Sequence, residues 1–97
     1  MIRVMTADEP ASTTITVDGK LSGESVEPVE TCCIEAISKG KPVRLYLRDV
    51  STIDEGGRAL LRKLVEKGVG LKASGLYSSY IVDEIQFPKL NGRHSRQ

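Results

Sequence analysis

Aromatic side chains are scarce in this 97-residue chain, with three Tyr and one Phe, 4% of the sequence. Hydrophobic residues make up 39%, so any core has to be aliphatic. Histidine is nearly missing as well. His94 is the one histidine, and it stands in a polar, basic C-terminal stretch. There is no G-x-S-x-G elbow, no C-x-x-C and no phosphate loop with its Lys. Catalysis therefore has little to stand on, and no catalytic residue, metal site or cofactor is expected. No run approaches the ~18 apolar residues that a membrane helix needs. Met1 to Pro10 holds no apolar block of the signal-peptide kind and carries Asp8 and Glu9. The expectation is a cytoplasmic protein with no direct membrane insertion. Charge of one sign is also lacking: 14 basic and 13 acidic side chains leave a net +1. That balance removes any general electrostatic reason to bind nucleic acid or an anionic surface. Cys32 and Cys33 are adjacent in sequence. Neighbouring helical residues diverge by about 100°, so the pair is poorly placed to grip one metal. Both are expected to be reduced, with Cys33 a small core residue.

What is present has the size of one domain. A chain of this length buries roughly 60–70% of its unfolded surface, enough for one thin core. Ile2 to Met5 alternates as a first edge strand, and Thr13 to Asp18 as a second, better one. The two read as an antiparallel hairpin. Ser22 or Ser25 is placed to cap a helix over about Glu27 to Lys39, with Val26, Val29, Cys33, Ala36 and Ile37 on one face. Val43, Leu45 and Leu47 then alternate with Arg44, Tyr46 and Arg48. A strand buried on both faces would be a continuous apolar run, so helices are expected mainly on one side of the sheet. A second helix follows over about Gly57 to Lys67, with Leu60, Leu61, Leu64 and Val65 on one stripe. Val69, Leu71 and Ala73 form a fourth strand, and Tyr77 to Gln86 a third helix with Tyr77, Ile81 and Ile85 in register and Ser78 as its cap. The result is an α/β domain over residues 1–87. Its order is β-β-α-β-α-β-α, with a single mixed sheet of about four strands. Residues 88–97 read as a disordered basic tail that adds nothing to the core.

The stretch from Asp49 to Leu61 organises the rest. It reads as the end of a strand, a tight loop and the start of a helix. Asp54 suits the helix N-cap, and Glu55 stands where the helix dipole favours negative charge. Gly56 and Gly57 leave the loop bare, so another surface could approach the backbone. Asp49-Val50-Ser51, then Asp54-Glu55-Gly56-Gly57, then Leu60-Leu61, resemble the motif of the STAS family. That family comprises the domain of anti-sigma-factor antagonists and of sulphate-transporter tails. Gly19-Lys20-Leu21-Ser22 is similar to a second family motif, and the stretch from Val69 to Gly75 to the strand after the motif helix. The resemblance runs from about Ile15 to Ile85. It implies a non-enzymatic bacterial signalling module that binds a protein partner, with a kinase of the anti-sigma-factor type as the candidate. STAS domains usually add a fifth strand and a fourth helix, so this chain reads as a shortened member, and an open sheet edge raises the expectation of a homodimer.

In the antagonists, the residue after the motif Asp is a serine that a partner kinase phosphorylates. Here that phosphosite-equivalent position is Glu55, so the resemblance carries over the place and not the switch. Glu55 stays open between three roles: a helix-start carboxylate, a fixed partner contact, and an imitation of the phosphorylated state. The partner-binding set is Ser22, Gly23, Asp54, Glu55, Gly56, Gly57, Arg58 and Arg62. Arg58 and Arg62, one turn apart, continue with Glu55 and Glu66 as either a solvated charge ladder or a docking ridge. The alternative function is a constitutive accessory subunit of a transporter or other complex. A rival enzyme-like arrangement would gather Asp8, Glu9, Asp49 and Asp54 around Mg²⁺. The order of elements argues against it, because Asp8 and Asp54 need not share an end of the sheet.

Overall fold

A computed structural model describes residues 2–87. Strand β1 (Ile2–Asp8) pairs antiparallel with β2 (Thr13–Leu21), as Ile2 faces Gly19 and Asp8 faces Thr13. A single 3₁₀ turn (Gly23–Ser25) leads into α1 (Val26–Ser38). Strand β3 (Val43–Ile53) lies parallel to β2, helix α2 (Glu55–Glu66) follows, and β4 (Gly70–Ala73) lies parallel to β3. Helix α3 (Leu76–Gln86) completes the order. The sheet is β1-β2-β3-β4, so the expected mixed four-stranded sheet and the order of elements are both found.

Alternation decides which face is covered. Ile15, Val17, Leu45, Leu47 and Leu71 are buried under the helices. Arg3, Met5, Arg44, Arg48 and Lys72 are exposed on the other face. The core is aliphatic throughout, as the composition requires: Val29, Cys33 and Ala36 from α1, Leu60, Leu61 and Leu64 from α2, and Ile81 and Val82 from α3. Burying one leucine side chain stabilises by about 1.5–3 kcal/mol. Each glycine in a helix interior costs only about 1 kcal/mol. The three leucines of α2 thus outweigh Gly56 and Gly57 in its first turn. Cys33 packs in this core, and burial pushes its thiol up to about 12, which makes it inert at neutral pH. Neither cysteine is in a disulfide.

Four local expectations are corrected. The motif strand does not end at Arg48 but continues to Ile53. Two bulges explain the difference. Val17 pairs with Leu47 and Asp18 with Asp49, so Arg48 is extra; Gly19 pairs with Val50 and Lys20 with Thr52, so Ser51 is extra. Each bulge shifts the inward phase by one residue, and the alternation that marks a strand is lost there. No loop separates β3 from α2, because Asp54 alone joins them. Helix α1 starts without a side-chain cap from Ser22 or Ser25, since the 3₁₀ turn organises its entry instead. Ser78 is not the cap of α3. It is buried within the helix, and its hydroxyl donates to the Val50 carbonyl at 2.9 Å. The buried face of α3 is accordingly Ser78, Ile81 and Val82, with Tyr77 on the flank.

Strand β4 stops at Ala73, opposite Leu47, and leaves the second half of β3 without a strand on that side. Side chains of α3 take over. Tyr77 Oη accepts from the Ile53 amide at 2.9 Å and donates to the Ile53 carbonyl at 3.2 Å, while Ser78 serves Val50. The outer edge of β4 is engaged too. Gln86 Oε1 accepts from the Leu71 amide, and Ser79 Oγ donates to the Ala73 carbonyl. The tail expected over 88–97, with His94, lies outside the described residues.

Candidate functional site

Strands β2 and β3 end together on one edge of the sheet, and that edge brings together Ser22-Gly23 and Asp54-Glu55-Gly56. Asp54 is its centre. One carboxylate oxygen, Oδ1, accepts from the Gly57 amide at 2.8 Å and so caps α2. The other, Oδ2, accepts from the Gly23 amide at 3.0 Å. A single side chain thus holds the start of α2 against the turn after β2. These two amide bonds, Gly57 first and Gly23 second, hold the Asp54 carboxyl below its ordinary value near 3.8. Gly23 has φ +55, a conformation that favours glycine and lets its amide turn toward Asp54.

The predicted site residues divide into an outer and an inner group. Gly23, Asp54, Glu55 and Gly56 are exposed, and Ser22 is half-buried beside them. Glu55 is the most prominent, with 84% of its side chain exposed, and it pairs with Arg62 across two turns at 3.2 Å. Gly56 has room around it: a methyl group there would sit 3.5 Å from Asp54 Oδ1, an ordinary contact. Gly57 differs. It is buried, and a methyl group on it would lie 3.0 Å from Ile53 Cγ2 and closer still to the Leu21 carbonyl oxygen. Close packing of α2 on β2, not access for a partner, is what calls for glycine at this position. Arg58 also leaves the outer group. It turns to Glu84 of α3 at 3.1 Å rather than joining Glu55 and Arg62 in a ridge.

The carboxylates of the enzyme-like rival do not converge. Asp8 lies at the opposite end of the sheet, paired with Lys41 and accepting from Thr13 Oγ1 at 3.1 Å. Among the described residues, no group of three His, Cys, Asp or Glu side chains is placed to hold a metal ion. A depression of about 760 Å³ is lined by Ile2, Arg3, Asp18, Gly19, Asp49 and Ser51, and none of the predicted site residues reaches it. No helix among the described residues is long and apolar enough to cross a membrane. Sequence reasoning missed Tyr77, whose hydroxyl anchors α3 beside Asp54. Its position in an apolar register concealed a polar duty.

The fold and this edge define a STAS-like α/β module. A solved structure of an anti-sigma factor antagonist from Mycobacterium paratuberculosis superposes with a TM-score of 0.76 at 15% identity, covering 94% of this chain and 82% of that one. A crystal structure of Mglu matches with a TM-score of 0.58 at 22% identity over 74% of this chain, which spans only 19% of that protein. The likeness is one of fold. No protein-family model and no curated protein matches the sequence.

Proposed function

We propose that the chain is a non-enzymatic, protein-binding regulatory module of the cytoplasm, acting like an anti-sigma factor antagonist but without its phosphorylation switch. The observation that carries this reading is the Asp54 clamp. It fixes two separate backbone turns and presents Gly23, Glu55 and Gly56 together on an exposed, rigid edge. Such preorganisation lowers the ordering cost of binding a protein. Ser22 and Arg62 flank the surface, and the anti-sigma factor antagonist that shares the fold favours a protein partner, with an anti-sigma-like kinase as the class we propose. Glu55 serves here as a fixed contact. Its single charge is shared with Arg62, which makes it a poor imitation of a phosphate carrying up to about two charges. The same permanence favours a second reading, a constitutive accessory subunit of a transporter or other complex.

The test is capture from the native cytoplasm followed by titration of the purified partner. Wild type, Glu55→Arg and Gly56→Trp are compared. Both substitutions are exposed, so both variants fold, and each weakens partner binding at least about tenfold, or 1.4 kcal/mol. Glu55→Ser becomes a substrate if the partner is a kinase of the anti-sigma class. Unchanged affinity in both variants would remove this edge as the interface.

A further inference from the structure

We infer that the outer face of α3 is a self-association surface, on which a second copy of this chain seats its own α3 in antiparallel orientation. The core contains no aromatic residue, and three of the chain's four aromatics stand on α3 or its C-cap. They face outward. Leu76 is 93% exposed, Tyr80 66% and Phe87 51%, with Tyr77 on the flank. Exposed apolar groups scattered singly need no explanation, but four of them gathered on one helix and its C-cap do.

The spacing of the stripe specifies what fits it. Leu76, Tyr80, Asp83 and Phe87 follow one another at steps of four, three and four, the spacing of the seam between two packed helices. About a two-fold axis, an antiparallel pair matches this seam with itself. Leu76 of one copy meets Phe87 of the other, and Tyr80 meets Asp83, where a phenol can donate to a carboxylate. A parallel pair would set Asp83 on Asp83, like charges face to face, and is disfavoured. The area is sufficient. Aromatic side chains bury on the order of 150–250 Å² each, so the exposed parts of Leu76, Tyr77, Tyr80 and Phe87 in two copies amount to on the order of 1,000 Å². That is the low end for a specific interface, and it fits a reversible dimer.

Pairing through the neighbouring sheet edge is obstructed by α3 itself. Gln86 and Ser79 occupy the Leu71 amide and the Ala73 carbonyl, the groups an added strand on β4 would use. Among the described residues, Leu76 and Tyr80 on the helix face are the more exposed groups on that side.

Sedimentation equilibrium on the full chain tests the inference independently of any partner. Wild type gives a monomer–dimer equilibrium with a dissociation constant in the micromolar range. Tyr80→Glu places a carboxylate against Asp83 of the other copy and weakens the dimer at least about tenfold. Leu76→Glu does the same from the other end of the seam, and Asp83→Leu tightens the dimer. All three positions are exposed, and circular dichroism confirms that each variant keeps its fold. A wild-type chain that stays monomeric to about 500 µM, far above that range, overturns the inference. So does a dimer that resists both Glu variants, or one that only Met5→Pro in the β1 edge dissociates.

Discussion

Helices α2 and α3 each follow a parallel strand, yet they are held by opposite means. Helix α2 is capped by Asp54, buries Leu60, Leu61 and Leu64, and turns charged residues outward. Helix α3 begins after Gly75 with no side-chain cap, and it fastens itself through hydroxyls: Tyr77 to Ile53, Ser78 to Val50, Ser79 to Ala73. Its outer face is then free to carry Leu76 and Tyr80. The difference teaches that a helix of this length can dock by serving the unpaired backbone of a strand. Only a short apolar contact through Ile81 and Val82 is needed beneath it.

Substitutions can break each mode of attachment in turn. The largest effect belongs to the close approach of α2. Gly57→Ala gains about 1 kcal/mol of helix propensity but forces a methyl group into the Leu21 carbonyl. Backbone and side-chain shifts to relieve such overpacking cost up to about 3 kcal/mol, so a net loss near 2 kcal/mol is expected in urea unfolding. Gly56→Ala, one residue away in open surroundings, is the control and unfolds at or above the wild-type midpoint. Next comes the polar attachment of α3. Ser78→Ala leaves the Val50 carbonyl without its buried donor, at a cost of about 1–1.5 kcal/mol in the same assay. An equal loss in Ser79→Ala, whose hydroxyl bond is longer and less buried, would show that burial is not what matters. The smallest effect sharpens the role of charge in the α2 cap. Asn also caps helices well, so Asp54→Asn keeps most of the stability at pH 7. The folded Asp54 carboxyl titrates below its ordinary value near 3.8. Its charge-dependent stabilisation is therefore complete above about pH 4 and is lost as pH falls through the lowered value. The gap between wild type and Asp54→Asn should narrow on going from pH 7 to pH 2.5. A constant gap would assign the cap to geometry alone.

The legible parts of this molecule are those whose cause is local. Val43, Leu45 and Leu47 announce an inward face by their period, and the leucine stripe of α2 announces a helix. Asp54 is a cap by residue type and position, and the structure places it there. What stayed hidden depends on distant chain. Gly57 reads as an opening until Leu21, far away in sequence, is seen pressed against it. Ser78 reads as a cap because serine favours caps, and only the bare edge of β3 beyond Leu47 gives it a buried partner. Arg58 reads as one rung of a ladder on α2, and its carboxylate lies on α3 instead. The last part of β3 escaped notice because its bulges erase the period that identifies a strand.

Those two bulges have an arithmetic of their own. From Val17 to Leu21 the second strand advances four residues, while its neighbour advances six, from Leu47 to Ile53. Each surplus residue is absorbed where it stands, so Val50 stays inward opposite Gly19 and Ile53 inward opposite Leu21. The segment therefore tolerates shortening by one residue at a time: loss of Arg48 or of Ser51 removes one bulge and leaves Ile53, and the capping carboxylate beside it, in register with the second strand.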